Sequence, residues 1–195
     1  MRHDEPKNLF AKLAAEAFRD VETEPLLQPL TGEVLKRKTA NRKDDARSDV
    51  RIRGFWRKQQ SAYFEFRVFY PFAQTYKSTE PAELYGKIAR VRELQYKERI
   101  NIVDNGSFTP MIMSSTGGMG DEMDNAVKHL AQTLAETRKQ EYSLMAGILR
   151  ARFAFATARS ALVCLRGSRN RCTHGQIHSL RDNSSIIACE ARIGC

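Results

Sequence analysis

The stretches 46–56 and 62–68 contain two adjacent β-strands that carry acidic residues in an otherwise apolar and basic setting. Val50 and Ile52 alternate with Arg51 and Arg53, the period-two signature of a strand. Arg57 to Ser61 reads as a turn. Tyr63 to Tyr70 is aromatic and β-branched enough for a buried central strand, and Pro71 closes it. Asp49 therefore heads the first strand and Glu65 lies inside the second, with Arg67 two residues further on. Strands joined by so short a connection bring both carboxylates to one end of a sheet, with the cation beside them. A hard divalent cation takes oxygen ligands and keeps several waters, so one or two carboxylates suffice to hold Mg²⁺. Held there, it polarises a phosphodiester and lowers the pKa of an attacking water. On pattern alone, ordinary salt bridges to the surrounding arginines are the commoner use of such acids.

The rest of the chain supplies a frame for that pair. Leu9, Phe10, Leu13, Ala14, Ala17 and Phe18 form a helical stripe over residues 4–20, started by Asp4 and Pro6. Pro25 and Pro29 end it, and the basic stretch 31–48 reads as loop or weak strand. Residues 80–100 return to helix, with Leu84, Ile88, Val91, Leu94 and Gln95 expected on one side and Lys87, Arg90, Arg92, Lys97 and Arg99 elsewhere. Asn101 to Met113 reads as a strand pair, or one strand broken at Asp104-Asn-Gly106. Gly117-Gly-Met-Gly120 is a tight turn before a helix from Asp121 to about Gln140, and another helix runs from about Tyr142 to Leu165. The expected fold is α/β: one central mixed β-sheet flanked by helices, with additional C-terminal helices.

The net charge of +9 is concentrated near the acidic pair. Residues 34–67 carry eleven Lys or Arg against four acids, the pattern of a groove that tracks phosphates. Met1-Arg-His-Asp-Glu-Pro is no secretory signal, and the apolar run from Leu144 to Leu165 is interrupted by Arg150, Arg152 and Arg159, so no membrane span is expected. An intracellular location, nuclear or cytoplasmic, is the expectation. The four cysteines lie at 164, 172, 189 and 195. With His174 and His178 they fit no regular zinc spacing, and free thiols are the better reading. His3, Trp56 and His129 are read as a surface histidine, a residue packed on the sheet and a structural histidine.

Ten short segments, taken together, resemble a known family. They are Arg2-His-Asp-Glu5, Leu27-Gln-Pro-Leu-Thr-Gly-Glu33, Thr39-Ala-Asn, Asp45-Ala-Arg-Ser-Asp-Val50, Gly54-Phe-Trp56, Tyr63-Phe-Glu-Phe-Arg-Val-Phe69, Tyr96-Lys-Glu-Arg-Ile100, Gly106-Ser-Phe-Thr-Pro110, Gly117-Gly-Met-Gly120 and Cys164-Leu-Arg-Gly-Ser-Arg169. In this order they resemble the restriction-like endonuclease domain that follows the reverse transcriptase of some non-LTR retrotransposons, a branch of the PD-(D/E)XK nucleases. In outline they are also similar to archaeal Holliday-junction resolvases. The resemblance covers residues 2–169 and implies a nuclease domain over 1–169 with a restriction-endonuclease-like core, leaving 170–195 as a tail.

By that resemblance Asp49 matches the motif's first aspartate and Glu65 its second acid. Arg67 stands where the superfamily has lysine. Glu5 matches the acid of the first helix, and Tyr96 and Arg99 match polar positions of the helix after the strands. The implied catalytic set is Asp49, Glu65, Arg67, Glu5 and Tyr96, with Asp49, Glu65 and Glu5 holding Mg²⁺ or Mn²⁺. Arg47, Arg51, Arg53, Lys58 and Arg99 are the expected DNA contacts. Arginine is effectively never deprotonated, so Arg67 leaves water activation to the metal or another base. The zinc knuckle and reverse transcriptase that precede this domain in similar proteins are not in the sequence, so a fragment of a polyprotein is expected. The implied activity is DNA nicking for retroelement insertion; the alternative is a catalytically inactive nucleic-acid-binding remnant.

Overall fold

The computed structural model describes residues 3–27 and 47–169. The cysteines and histidines of the tail, the segments quoted from 28–46 and the tail itself lie outside the described residues, and the first compact unit takes in α4 through residue 161. The elements are α1 (Asp4–Ala17), β1 (Val21–Thr23), β2 (Val50–Arg53), β3 (Ser61–Phe69), a short 3-10 turn, α2 (Pro81–Ile102), β4 (Ser107–Ser114), α3 (Asp121–Arg138) and α4 (Tyr142–Arg169). This is a mixed α/β arrangement with a four-stranded mixed sheet flanked by helices. No described helix is long and apolar enough to cross a membrane.

The sheet runs β1-β2-β3-β4. β1 with β2 and β2 with β3 are antiparallel, whereas β3 and β4 are parallel from Ala62↔Ser107 to Phe69↔Ser114. The parallel pair needs a crossover, and α2 supplies it. Strand alternation then sorts β3 between two faces. Phe64 and Phe66 join Val50, Ile52, Met111 and Met113 against α1, α3 and α4. Tyr63, Glu65 and Phe69 look to the α2 side, where Phe69 packs with Leu84, Ala89 and Ile112 and Tyr63 with Leu27 and Ile100. Phe10 of α1 anchors the first face, with ring centroids 4.9 Å from Phe64, 5.5 Å from Phe66 and 6.5 Å from Phe153 of α4.

Three expectations need correction. β1 was not foreseen, because three residues carry too little periodicity; it forms as a short edge strand on β2. The Asp104-Asn-Gly106 signal does not separate two strands. It ends α2, with Asn105 at φ 45° and the Gly106 amide donating to the Ile100 carbonyl at 3.1 Å. The α2 faces hold only over the first half of the helix: Leu84 and Ile88 pack inward as expected, whereas Val91 and Leu94 are 62% and 79% exposed, Arg99 is buried and Arg92 reaches Glu65. A helix lying over buried carboxylates must offer them partners, so polar residues take the inner side.

Gly106 is held to glycine by space. A Cβ there would lie 2.8 Å from the Tyr63 ring and 2.9 Å from the Ser61 carbonyl oxygen, and that backbone atom cannot swing away. Gly106→Ala is expected to destabilise the fold by about 1–3 kcal/mol, measured as a lower urea midpoint with an unchanged slope.

Candidate functional site

β2 stops where β3 continues. The last β2–β3 pair is Val50↔Phe64, so Asp49 and Glu65 occupy the next cross-strand positions, and the remainder of β3 pairs only with β4. The carboxylates expected from the sequence are therefore brought to one end of the sheet. Asp49 Oδ2 accepts the Phe66 amide at 2.6 Å, which ties its side chain across the β3 backbone. Both carboxylates are largely shielded, with 14% and 13% of their side chains exposed.

Burial dominates their electrostatics. Desolvation pushes the Glu65 carboxyl up to about 8, the Asp49 charge adds to the rise, and Arg92, the Asp49 amide and Arg67 oppose it. The Asp49 carboxyl is also raised by burial, against the Phe66 amide and the charges of His3 and Lys7. Two close acids in so dry a place cannot both stay ionised without a cation. Two cations and a histidine surround them: Arg92 Nη1 of α2 is 3.9 Å from Glu65 Oε1, Lys7 of α1 lies in the field of Asp49, and His3 Nε2 is 3.8 Å from Asp49 Oδ1.

Glu24 extends the row. It follows β1 at φ 56°, its amide donates to the Asp49 carbonyl at 2.9 Å, and its Oε1 accepts from Lys7 Nζ at 2.8 Å. Lys7 is only 5% exposed and also lies 4.0 Å from Asp4 Oδ1. Three carboxylates from three neighbouring strand positions thus share one end of the sheet, with an ammonium held beside two of them. Among the described residues no group of three or more His, Cys, Asp or Glu side chains converges as a ready metal cage. Asp49 and Glu65 are the pair that could hold a hydrated divalent ion, and Mg²⁺ asks for no more than that.

The other expected residues are placed as follows. Arg67 is exposed on the Glu65 face of β3 and acts on Glu65 through its charge alone. Tyr96 stacks on Phe108 with centroids 5.8 Å apart, and burial, then Glu65, raise its hydroxyl above the usual range. Glu5 turns to α4, where its Oε2 is 3.2 Å from Arg159 Nε. Arg47, Arg53 and Lys58 are exposed. Arg51 is engaged by Asp20 and Glu22, each at 3.1 Å, and Arg99 is buried. Trp56 is 37% exposed, stacked on His129 and bonded to Thr109 Oγ1 at 3.0 Å, while His129 Nε2 meets the Phe55 carbonyl at 2.7 Å. His129 is half-buried in these contacts, whereas Trp56, expected to be packed on the sheet, keeps an exposed side.

Sequence reasoning passed over Lys7, Arg92 and Glu24. Lys7 did leave a signal: with Phe10, Ala11 and Ala14 it completes an i, i+3, i+4, i+7 stripe, so a lysine occupies the buried side of α1. Lysine is rarely buried unless paired, which points to carboxylates waiting nearby. Glu24 left none, since nothing local marks it as the neighbour of Asp49. No family model and no curated protein matches this chain.

Proposed function

We propose that the chain is a divalent-metal-dependent DNA endonuclease of the restriction-like kind, using Mg²⁺ or Mn²⁺ to hydrolyse a phosphodiester. The observation that carries this reading is the cross-strand placement of Asp49 and Glu65 at the point where β2 ends and β3 continues. The mixed sheet, and the order helix, strands, helix, strand, agree with the α/β fold expected from the sequence patterning and leave room for such a core. A metal bound between Asp49 and Glu65 would supply Lewis-acid polarisation of the phosphate and a more acidic water. The chain's own groups do the rest. Asp49 and Glu65 would hold the ion, and Arg92, 3.9 Å from Glu65, would offer its guanidinium to a phosphate oxygen. Arg47, Arg53 and Lys58 offer exposed positive charge to the DNA backbone. In the proposed context the domain nicks target DNA for a retroelement and is tethered to a reverse transcriptase in the intact polyprotein.

One observation favours a second reading. The acids already have protein partners in Arg92, His3 and Lys7, as suits a nucleic-acid-binding remnant without catalysis. Plasmid nicking separates the two. An endonuclease converts supercoiled to open-circular plasmid in Mn²⁺, stops in EDTA, and is inactivated by Asp49→Asn. DNA binding that weakens with salt, without nicking in Mn²⁺ or Mg²⁺, selects the remnant.

A further inference from the structure

α4 is apolar on two sides. Its inner side is expected of a core helix: Met145, Leu149, Phe153 and Ala156 are buried against the first sheet face. Its outer side is not. Leu144, Ile148, Ala151, Phe155 and Ala158 follow one another at spacings of four, three, four and three, the heptad seam of a helix that packs on another helix. All five are exposed, Phe155 by 74%, Leu144 by 54% and Ile148 by 36%. A contiguous stripe of large apolar side chains facing water marks an interaction surface.

The stripe itself indicates what covers it. Along the helix, Leu144, Ile148 and Phe155 lie on one side of the seam and Gly147, Ala154 and Ala158 on the other, with Ala151 on the midline. A twofold axis parallel to the helix turns the large side of one copy onto the small side of the next. Ile148 then meets the partner's Gly147 and Ala151, and Phe155 meets the partner's Ala154 and Ala158. Space at Gly147 is open, with nothing within 4 Å of a Cβ built there. Such an interface is isologous and closes on itself.

Charge points the same way. The seam is flanked by arginines, which alone would favour an acidic partner and repel a second copy. Two of them are already neutralised within the chain: Arg150 Nη2 is 3.0 Å from Asp124 Oδ1, and Arg159 Nε is 3.2 Å from Glu5 Oε2. An acidic helix would compete with those carboxylates for the two guanidiniums, whereas a second copy brings a rim on which both are already paired.

We propose that the outer face of α4 is the seam of a parallel homodimer. The stretch 144–158 is roughly 21 Å long, about four helical turns, and presents three large apolar side chains, Leu144, Ile148 and Phe155, to a partner. The dimer is therefore expected to form with a Kd on the order of micromolar.

Sedimentation equilibrium of the full chain between about 1 and 100 µM tests this. A monomer–dimer equilibrium is expected. Phe155→Glu, at a position that contributes nothing to the core, should give monomers throughout with an unchanged melting curve. Ala154→Leu adds apolar surface but fills the hollow that receives Phe155. It should weaken the dimer ~10-fold or more, the change a lost fit of about 1.4 kcal/mol brings. A wild-type monomer at the highest concentration overturns the proposal, as does a dimer that survives Phe155→Glu. Tighter association in Ala154→Leu overturns it too, because that is the behaviour of unspecific apolar adhesion or of a face built for another partner.

Discussion

Glu65→Gln is expected to abolish metal-dependent nicking and, in the same protein, to raise stability in metal-free alkaline buffer. The two effects have one cause. Glu65 is held up to about 8 against an ordinary 4.5, chiefly by burial. Between those values the folded chain keeps a proton that the unfolded chain releases, so unfolding is favoured as pH rises. The stability Glu65 contributes is fully present in acid, falls from about pH 4.5 upwards, and is gone above about pH 8. At ~1.4 kcal/mol for each pH unit the loss has a ceiling of about 5 kcal/mol, and water reaching the exposed edge of the carboxyl brings it nearer 2–3 kcal/mol. Glutamine has the same shape and no proton to lose. Urea unfolding in EDTA should show Glu65→Gln level with the wild type at pH 5 and ahead of it at pH 9. The nicking rate of the variant in Mn²⁺ should fall at least ~100-fold. A metal held between Asp49 and Glu65 would replace the missing counter-charge, so Mn²⁺ should raise the melting temperature of the wild type more at pH 9 than at pH 6. A variant that nicks normally would remove Glu65 from the site. One that loses stability at pH 9 would show that its charge is well solvated.

How far the site was legible depends on where each residue's information lies. Asp49 and Glu65 were legible because strand alternation and a short connection convert directly into register; the cross-strand placement follows from Val50↔Phe64 with no further input. The amphipathic α1 and α3 were legible for the same reason, since a period repeated over several turns survives local noise. α2 was misread because its inner face carries Arg92, Tyr96 and Arg99, which periodicity counts as an outer face. Buried charge inverts the polarity rule wherever a helix covers buried carboxylates. Glu5 shows another limit. Its neighbours Asp4 and Lys7 look to the strand ends and Glu5 to Arg159 of α4, a choice set by helix rotation that two adjacent acids cannot reveal. Glu24 depends on β1 pairing with β2 across some thirty residues of chain, which no local pattern encodes.

Lys7 is the residue on which the metal-free site most depends, and Lys7→Met tests it. Its ammonium is almost fully enclosed, bonded to Glu24 and in the fields of Asp49 and Asp4, and those charges hold it above the usual lysine range despite burial. Lysine below its pKa is charged throughout neutral pH, so Lys7 acts here as a fixed cation and not as a base. Methionine fills similar volume without charge. It leaves Asp49 without its α1 counter-charge at a position where most of the carboxylate is out of water, and breaking a buried pair in this way costs about 3–5 kcal/mol. Glu24 is 57% exposed and can return to solvent, which lowers the expected loss to about 2–3 kcal/mol at pH 7. The sign at the metal is opposite. Removing a positive charge from beside Asp49 lessens repulsion of a divalent ion, so Lys7→Met should bind Mn²⁺ more tightly than the wild type at pH 8 while being less stable without it. Titration of Mn²⁺ by calorimetry, set beside urea unfolding in EDTA, reads both quantities on one sample. Weaker Mn²⁺ binding in a folded Lys7→Met variant would mean that the lysine shapes the ligand geometry. An unchanged affinity would mean that the ion binds elsewhere, and with it the assignment of Asp49 and Glu65 as the metal-binding pair would fall.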